Sequence, residues 1–210
     1  MLDLIVKGGP VLWLLIGISA VVIAVVVERL LFFKRIRTDE DKLFSRLSST
    51  LDKGHYDEAL AICDANLSPL GGLVKAGIEH RAESQKELKE IMKDAVNQEL
   101  PRLEKNISVL DTIAHIGPLL GLLGTVTGTM KAFGVLGTFG AVSDPTLLAK
   151  GISEALVTTV AGILVAVPAV IFYNYFVGKV DRIALKLEYQ AGELAILISG
   201  HHTPEAEAGS

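Results

Sequence analysis

Charge is what this sequence withholds. Between Lys150 and Lys179 the one charged residue is Glu154, and the two dozen residues 155–178 carry none. Cysteine is also scarce: the single Cys63 excludes an internal disulfide and reads as a small buried thiol. A net charge of −4 is too mild and of the wrong sign for a nucleic-acid binder. His55, His80 and His115 are scattered, with no metal-ligand spacing, phosphate loop or nucleophile–base pair. Nothing therefore marks an enzyme, a cofactor or a metal. No internal repeat is present either. GHYDEALAIC looks like half of a helix-turn-helix repeat, but it occurs once.

What is present is apolar and bunched. Half of the 210 residues are hydrophobic and the mean hydropathy is +0.45. The first run, residues 11–27, reads VLWLLIGISAVVIAVVV. Arg29, Lys34, Arg35 and Arg37 follow it, whereas Lys7 and Asp3 offset each other before it. No small-x-small cleavage site precedes the charges, so this is a retained anchor with its N-terminus outside. The second run, residues 113–130, is IAHIGPLLGLLGTVTGTM. The third is the uncharged stretch above, and Lys179, Arg182 and Lys186 follow it on the inside.

The expected fold is an all-α membrane protein with three transmembrane helices. A helical cytoplasmic insert separates the first two, and helices two and three run on into the cytoplasm. The layout is a short outside N-terminus 1–10, spans 11–33, 111–133 and 150–178, a cytoplasmic region 34–110, an outside turn 134–149, a cytoplasmic helix 179–200 and a polar tail 201–210. Within the insert the apolar spacing predicts four helices. They are residues 39–51, with Leu43, Phe44, Leu47 and Leu51 on one side; residues 56–66, ended by Ser68-Pro69; residues 70–81; and a fourth begun by the capping box Ser84-x-x-Glu87. That fourth helix is expected to continue into span two, with Pro101 as a kink.

Small residues form stripes in two spans. Gly117, Gly121, Gly124 and Gly128 recur at steps of four, three and four, on one helical face. Ala155, Thr159, Gly162, Ala166, Ala169 and Tyr173 repeat the pattern in span three. Such faces allow close helix contact in lipid. Thr125 and Thr129 flank the first stripe, and Thr158 lies beside Thr159. These threonines either bond back to their own helix or thread a polar path through the span. Glu154 and Thr158 share a face, whereas Thr159 lies about 140° round from Glu154. Glu154 is thus an interfacial carboxylate paired with Lys150 or a group on the path. His115 is a helix-end residue bonding a carbonyl or water, or a proton relay.

GPLLGLLGTVTGTMKAF and ISEALVTTVAGILVAVPAVIFYN, with three spans and a large helical insert, resemble the MotA/TolQ/ExbB proton-channel family. The ExbB/TolQ branch fits better than four-span MotA-type stators. The resemblance implies a homo-oligomeric ring, usually a pentamer, in the bacterial inner membrane. It implies an ExbD- or TolR-like single-span partner carrying a membrane aspartate, and a TonB- or TolA-like protein that receives the energy of the proton motive force. It places pore threonines on Thr125 and Thr159 and a span-three glutamate on Glu154. The spans' own deeper polar groups are hydroxyls, which orient water but do not ionise here. Basic residues near the membrane are expected to meet anionic phospholipid heads. Two readings stand beside the ExbB-like one: a TolQ-like subunit serving envelope integrity, and a non-conducting scaffold.

Overall fold

Every regular element among the described residues is a helix, as the spacing of apolar residues predicts. The structure, a computed structural model, describes residues 9–36, 40–66, 68–139 and 145–200. The helices are α1 Gly9–Ile36, α2 Glu40–Leu51, α3 Tyr56–Asp64, α4 Pro69–Glu79, α5 Gln85–Glu104, α6 Ile107–Phe139 and α7 Pro145–Gly200. The chain divides into two compact units. One takes the described parts of Met1–Arg29 and Asn106–Phe176; the other takes those of Leu30–Lys105 and Val177–Ser210.

The second unit is built like a water-soluble helical domain. Leu47 and Leu51 of α2, Ile62 and Cys63 of α3, Leu70, Leu73 and Val74 of α4 and Leu88, Met92 and Val96 of α5 share one core. Leu187, Ala191, Leu194, Ala195 and Ile198 of α7 complete it. Each such leucine contributes about 1.5–3 kcal/mol when taken out of water. The capping box is formed: Glu87 N–H donates to Ser84 Oγ, and Ser84 N–H donates to Glu87 Oε2 at 3.2 Å. These bonds hold the Glu87 carboxyl below its ordinary range. Lys186 Nζ donates to Asp41 Oδ1 at 2.6 Å, joining α7 to α2 at the surface.

Three boundaries differ from the sequence reading. Ser68-Pro69 starts α4 rather than ending α3: Ser68 is the N-cap, its hydroxyl accepts from Leu70 N–H, and Pro69 fills the first turn, where its missing N–H is harmless. The helix carrying Pro101 does not run into the second span. It stops at Glu104, Lys105 is extended (ψ 133°) and Asn106 takes a left-handed φ of 62°, which asparagine tolerates. Asn106 Nδ2 also donates to Glu28 Oε2 at 3.4 Å. Finally, α6 runs to Phe139 and α7 starts at Pro145, so much of the expected turn 134–149 is helical. Residues 140–144, the expected N-terminal segment 1–8 and the tail 201–210 lie outside the described residues.

The first unit relaxes the usual packing rule. Beside large residues such as Leu15, Leu110 and Phe176 it buries many small ones: Ala114, Ala132, Ala155, Ala166 and Ala169. It exposes large apolar ones: Trp13, Ile23, Leu119, Leu122, Leu164 and Ile171. Lipid gives leucine no reason to hide, so tight contacts go to whichever residues let backbones approach. Among the described residues, three helices are long and apolar enough to cross a membrane.

Cys63 tests the second unit's core. Burial pushes its thiol from about 9.0 up to about 11, outweighing the lowering effect of Lys75. The folded chain is expected to resist alkylation at neutral pH until denatured, as measured by mass shift. The sign of the pH effect follows from the raised value: the folded state keeps a proton that the unfolded state has lost. Cys63's contribution to stability is whole below about pH 9 and fades as pH rises towards 11.

Candidate functional site: a hydroxyl pair between two glycine-faced helices

The small-residue stripes pack against each other. Helices α6 and α7 run antiparallel: Gly117 meets Gly162 and Ala166, Gly121 meets Thr158 and Thr159, and Gly128 meets Gly151 and Ala155. A Cβ placed on Gly162 would lie 2.6 Å from the Gly117 carbonyl oxygen and 3.0 Å from Gly121 Cα. A Cβ on Gly124 would collide with the Thr158 side chain. Each glycine is therefore a notch filled by the opposite helix.

Because the backbones are close, two short side chains meet across the gap. Thr125 Oγ1 and Thr159 Oγ1 are 2.5 Å apart. Both hydroxyls reach the Gly121 carbonyl at 3.2 Å, and Thr159 also reaches the Ala155 carbonyl at 3.3 Å. Each hydroxyl has one hydrogen. If Thr159 donates to Thr125, then Thr125 donates to Gly121; if Thr125 donates to Thr159, then Thr159 donates to Gly121 or Ala155. The pair thus has two hydrogen-bonded arrangements of opposite polarity. Both side chains are half-buried.

The neighbouring threonines differ. Thr158 is buried, at 1 % exposure, and donates back to the Ala155 carbonyl at 2.8 Å, seated in the Gly124 notch. Thr129 donates to Thr125 O at 2.8 Å, within its own helix. His115 is exposed and lies inside α6 rather than at a helix end, with Nδ1 2.8 Å from the Asp111 carbonyl oxygen. Glu154 is not part of the hydroxyl pair. Its carboxylate accepts from Lys131 Nζ at 3.0 Å, so its partner is Lys131 of α6 rather than Lys150 of its own helix. The antiparallel register decides this by bringing the end of the second span beside the start of the third.

Residues 65–189 match the MotA/TolQ/ExbB proton channel family, more than half of the chain. The chain belongs to that family. It is 33 % identical over 182 residues to an ExbB-like protein of Synechocystis sp., covering 84 % of this chain and 70 % of that one. It is 26 % identical over 188 residues to an ExbB homolog of Methanothermobacter thermautotrophicus, covering 89 % of this chain and 66 % of that one. The Tol-Pal system protein TolQ of Pseudomonas aeruginosa is 38 % identical over 117 residues, covering 54 % of this chain and 49 % of that one. The hydroxyl pair lies inside the stretch matched to the MotA/TolQ/ExbB family.

Sequence reasoning missed Lys131. Its signal was present but needed the register: a basic residue ending one small-faced span, and a carboxylate opening the other.

The glycine contact gives a test. Gly162→Ala drives a methyl into backbone that cannot yield and is expected to destabilise the chain by about 1–3 kcal/mol. Gly17→Ala, which meets nothing within 4 Å, is expected to leave stability unharmed. Thermal unfolding of the two detergent-solubilised variants compares them.

Proposed function

We propose that this chain is the ring-forming subunit of a proton-driven motor in the bacterial inner membrane, lying N-terminus out and C-terminus in. With an ExbD-like single-span partner it energises TonB-dependent transport across the outer membrane. The observation that carries the reading is the Thr125–Thr159 hydroxyl pair across two glycine-faced helices. A hydroxyl pair that can reverse its polarity suits handing a proton along ordered water, and it does so without ionising. Membership of the proton-channel family and the ExbB-named relatives support the same reading. The α2–α5 helices, with the C-terminal part of α7, are the cytoplasmic body. The chain is homo-oligomeric, as a pentamer, and its basic residues near the membrane hold phospholipid heads.

The ionisable group for the pair comes from the partner, as a membrane aspartate. Reconstituted alone in liposomes, this chain is expected to conduct protons weakly. Strong uncoupled leakage from the chain alone would count against the scheme.

A TolQ-like role is the second reading, favoured by the identity to TolQ proteins, 38 % over 117 residues and 41 % over 91. One experiment separates the two. A strain lacking the chain receives wild type or Thr159→Val at equal membrane levels, and energised uptake of an iron-siderophore is followed. Losing a hydroxyl bond worth about 1–2 kcal/mol is expected to slow uptake roughly tenfold while assembly persists. Uptake that never depended on the chain, together with detergent sensitivity when it is absent, moves the assignment to the TolQ-like role.

A further inference from the structure

As a sequence feature Lys131 only marks the end of the second apolar run. In the structure it meets Glu154 at 3.0 Å, where a third element also arrives. Gly9, the first residue of α1, approaches so closely that a Cβ on it would collide with the Glu154 carboxylate. Gly9 has a φ of +61°, so both its lack of a side chain and its backbone freedom are used here. The Glu154 side chain is 19 % exposed, whereas Lys131 is 59 % exposed. A carboxylate this covered, on a helix whose surroundings are apolar, needs a compensating charge. Lys131 supplies it from the exposed side, and the start of α1 covers the other.

We propose that Lys131 is a positioning residue: its ammonium holds the Glu154 carboxylate against the start of α1, so that this carboxylate is fixed in place near the start of α7, about one and a half turns from the threonine pair. The inference rests on the motor reading for its effect on activity, but not for its effect on the carboxylate itself. Held in this way, Glu154 biases the field at the Gly9 end of the unit and keeps α1, α6 and α7 in register there. Lys150 is one turn from Glu154 on the same helix, but the ion pair runs across to Lys131 of α6.

The test uses the full motor with its partner in cells, at matched membrane levels. Lys131→Met is expected to lower driven activity about five- to tenfold, and Lys131→Arg to keep most of it. Lys131→Met combined with Glu154→Gln is expected to be no worse than Glu154→Gln alone. The charge reversal Lys131→Glu with Glu154→Lys is expected to recover more than either single change. A second readout needs no activity: carbodiimide labelling of Glu154 in membranes, followed by peptide mass spectrometry. It is expected to be several-fold faster in Lys131→Met than in wild type or Lys131→Arg.

Unchanged labelling in Lys131→Met overturns the proposal, and so do Lys131→Met and Glu154→Gln effects that simply multiply. If Thr159→Val abolishes activity while Lys131→Met is silent, the motor reading stands and this inference falls. If Thr159→Val is silent but labelling accelerates in Lys131→Met, the motor reading falls and the positioning role of Lys131 stands.

Discussion

Two helices touch backbone to backbone because neither carries a side chain where they cross. Everything specific about the first unit depends on that contact between α6 and α7. With a larger residue at Gly117, Gly121 or Gly162, the helices separate, and the hydroxyls of Thr125 and Thr159 no longer reach each other. In lipid the hydrophobic effect does not press helices together. Close van der Waals contact and a few hydroxyl bonds do that work, so small residues hold α6 to α7 while leucines such as Leu119, Leu122 and Leu164 face outward.

The second unit obeys the opposite physics. Its leucines are buried, its charges are at the surface, and its helices are capped by side chains as in water-soluble proteins. One chain therefore contains two solvents' worth of packing rules. The long helix α7 contributes residues to both units, exposing Leu164 and Ile171 in one and burying Leu187 and Leu194 in the other. The switch in its pattern follows the charged residues Lys179, Asp181 and Arg182.

The polar groups that α6 and α7 bring to their contact have different local answers. Thr158 and Thr129 bond back to their own helices and so add little that a neighbour can use. Thr125 and Thr159 bond across the interface and keep acceptor capacity in reserve. Glu154 is balanced by Lys131. These three outcomes come from similar residue types a few positions apart, and rotation about the helix axis separates them.

That rotation marks the border between what could be read from the chain and what could not. The helix class, the three long apolar segments, the capping box at Ser84 and the small-residue stripes follow from composition and period, which are local properties. A capping side chain does not by itself assign a helix end: the capping box at Ser84 marks the start of α5, whereas Ser68-Pro69, also an N-cap, starts α4 rather than ending α3, and the break at Lys105–Asn106 carries no strong signal in the sequence. The stripes foretold close packing without naming the partner or the register. Tertiary structure alone decided that α6 and α7 pack antiparallel with Gly117 on Gly162, that the Thr125 and Thr159 hydroxyls meet within one chain, and that Glu154 pairs with Lys131 rather than Lys150. The reason is physical: a period fixes which residues share a face, but the axial offset between two faces is set by how their notches fit.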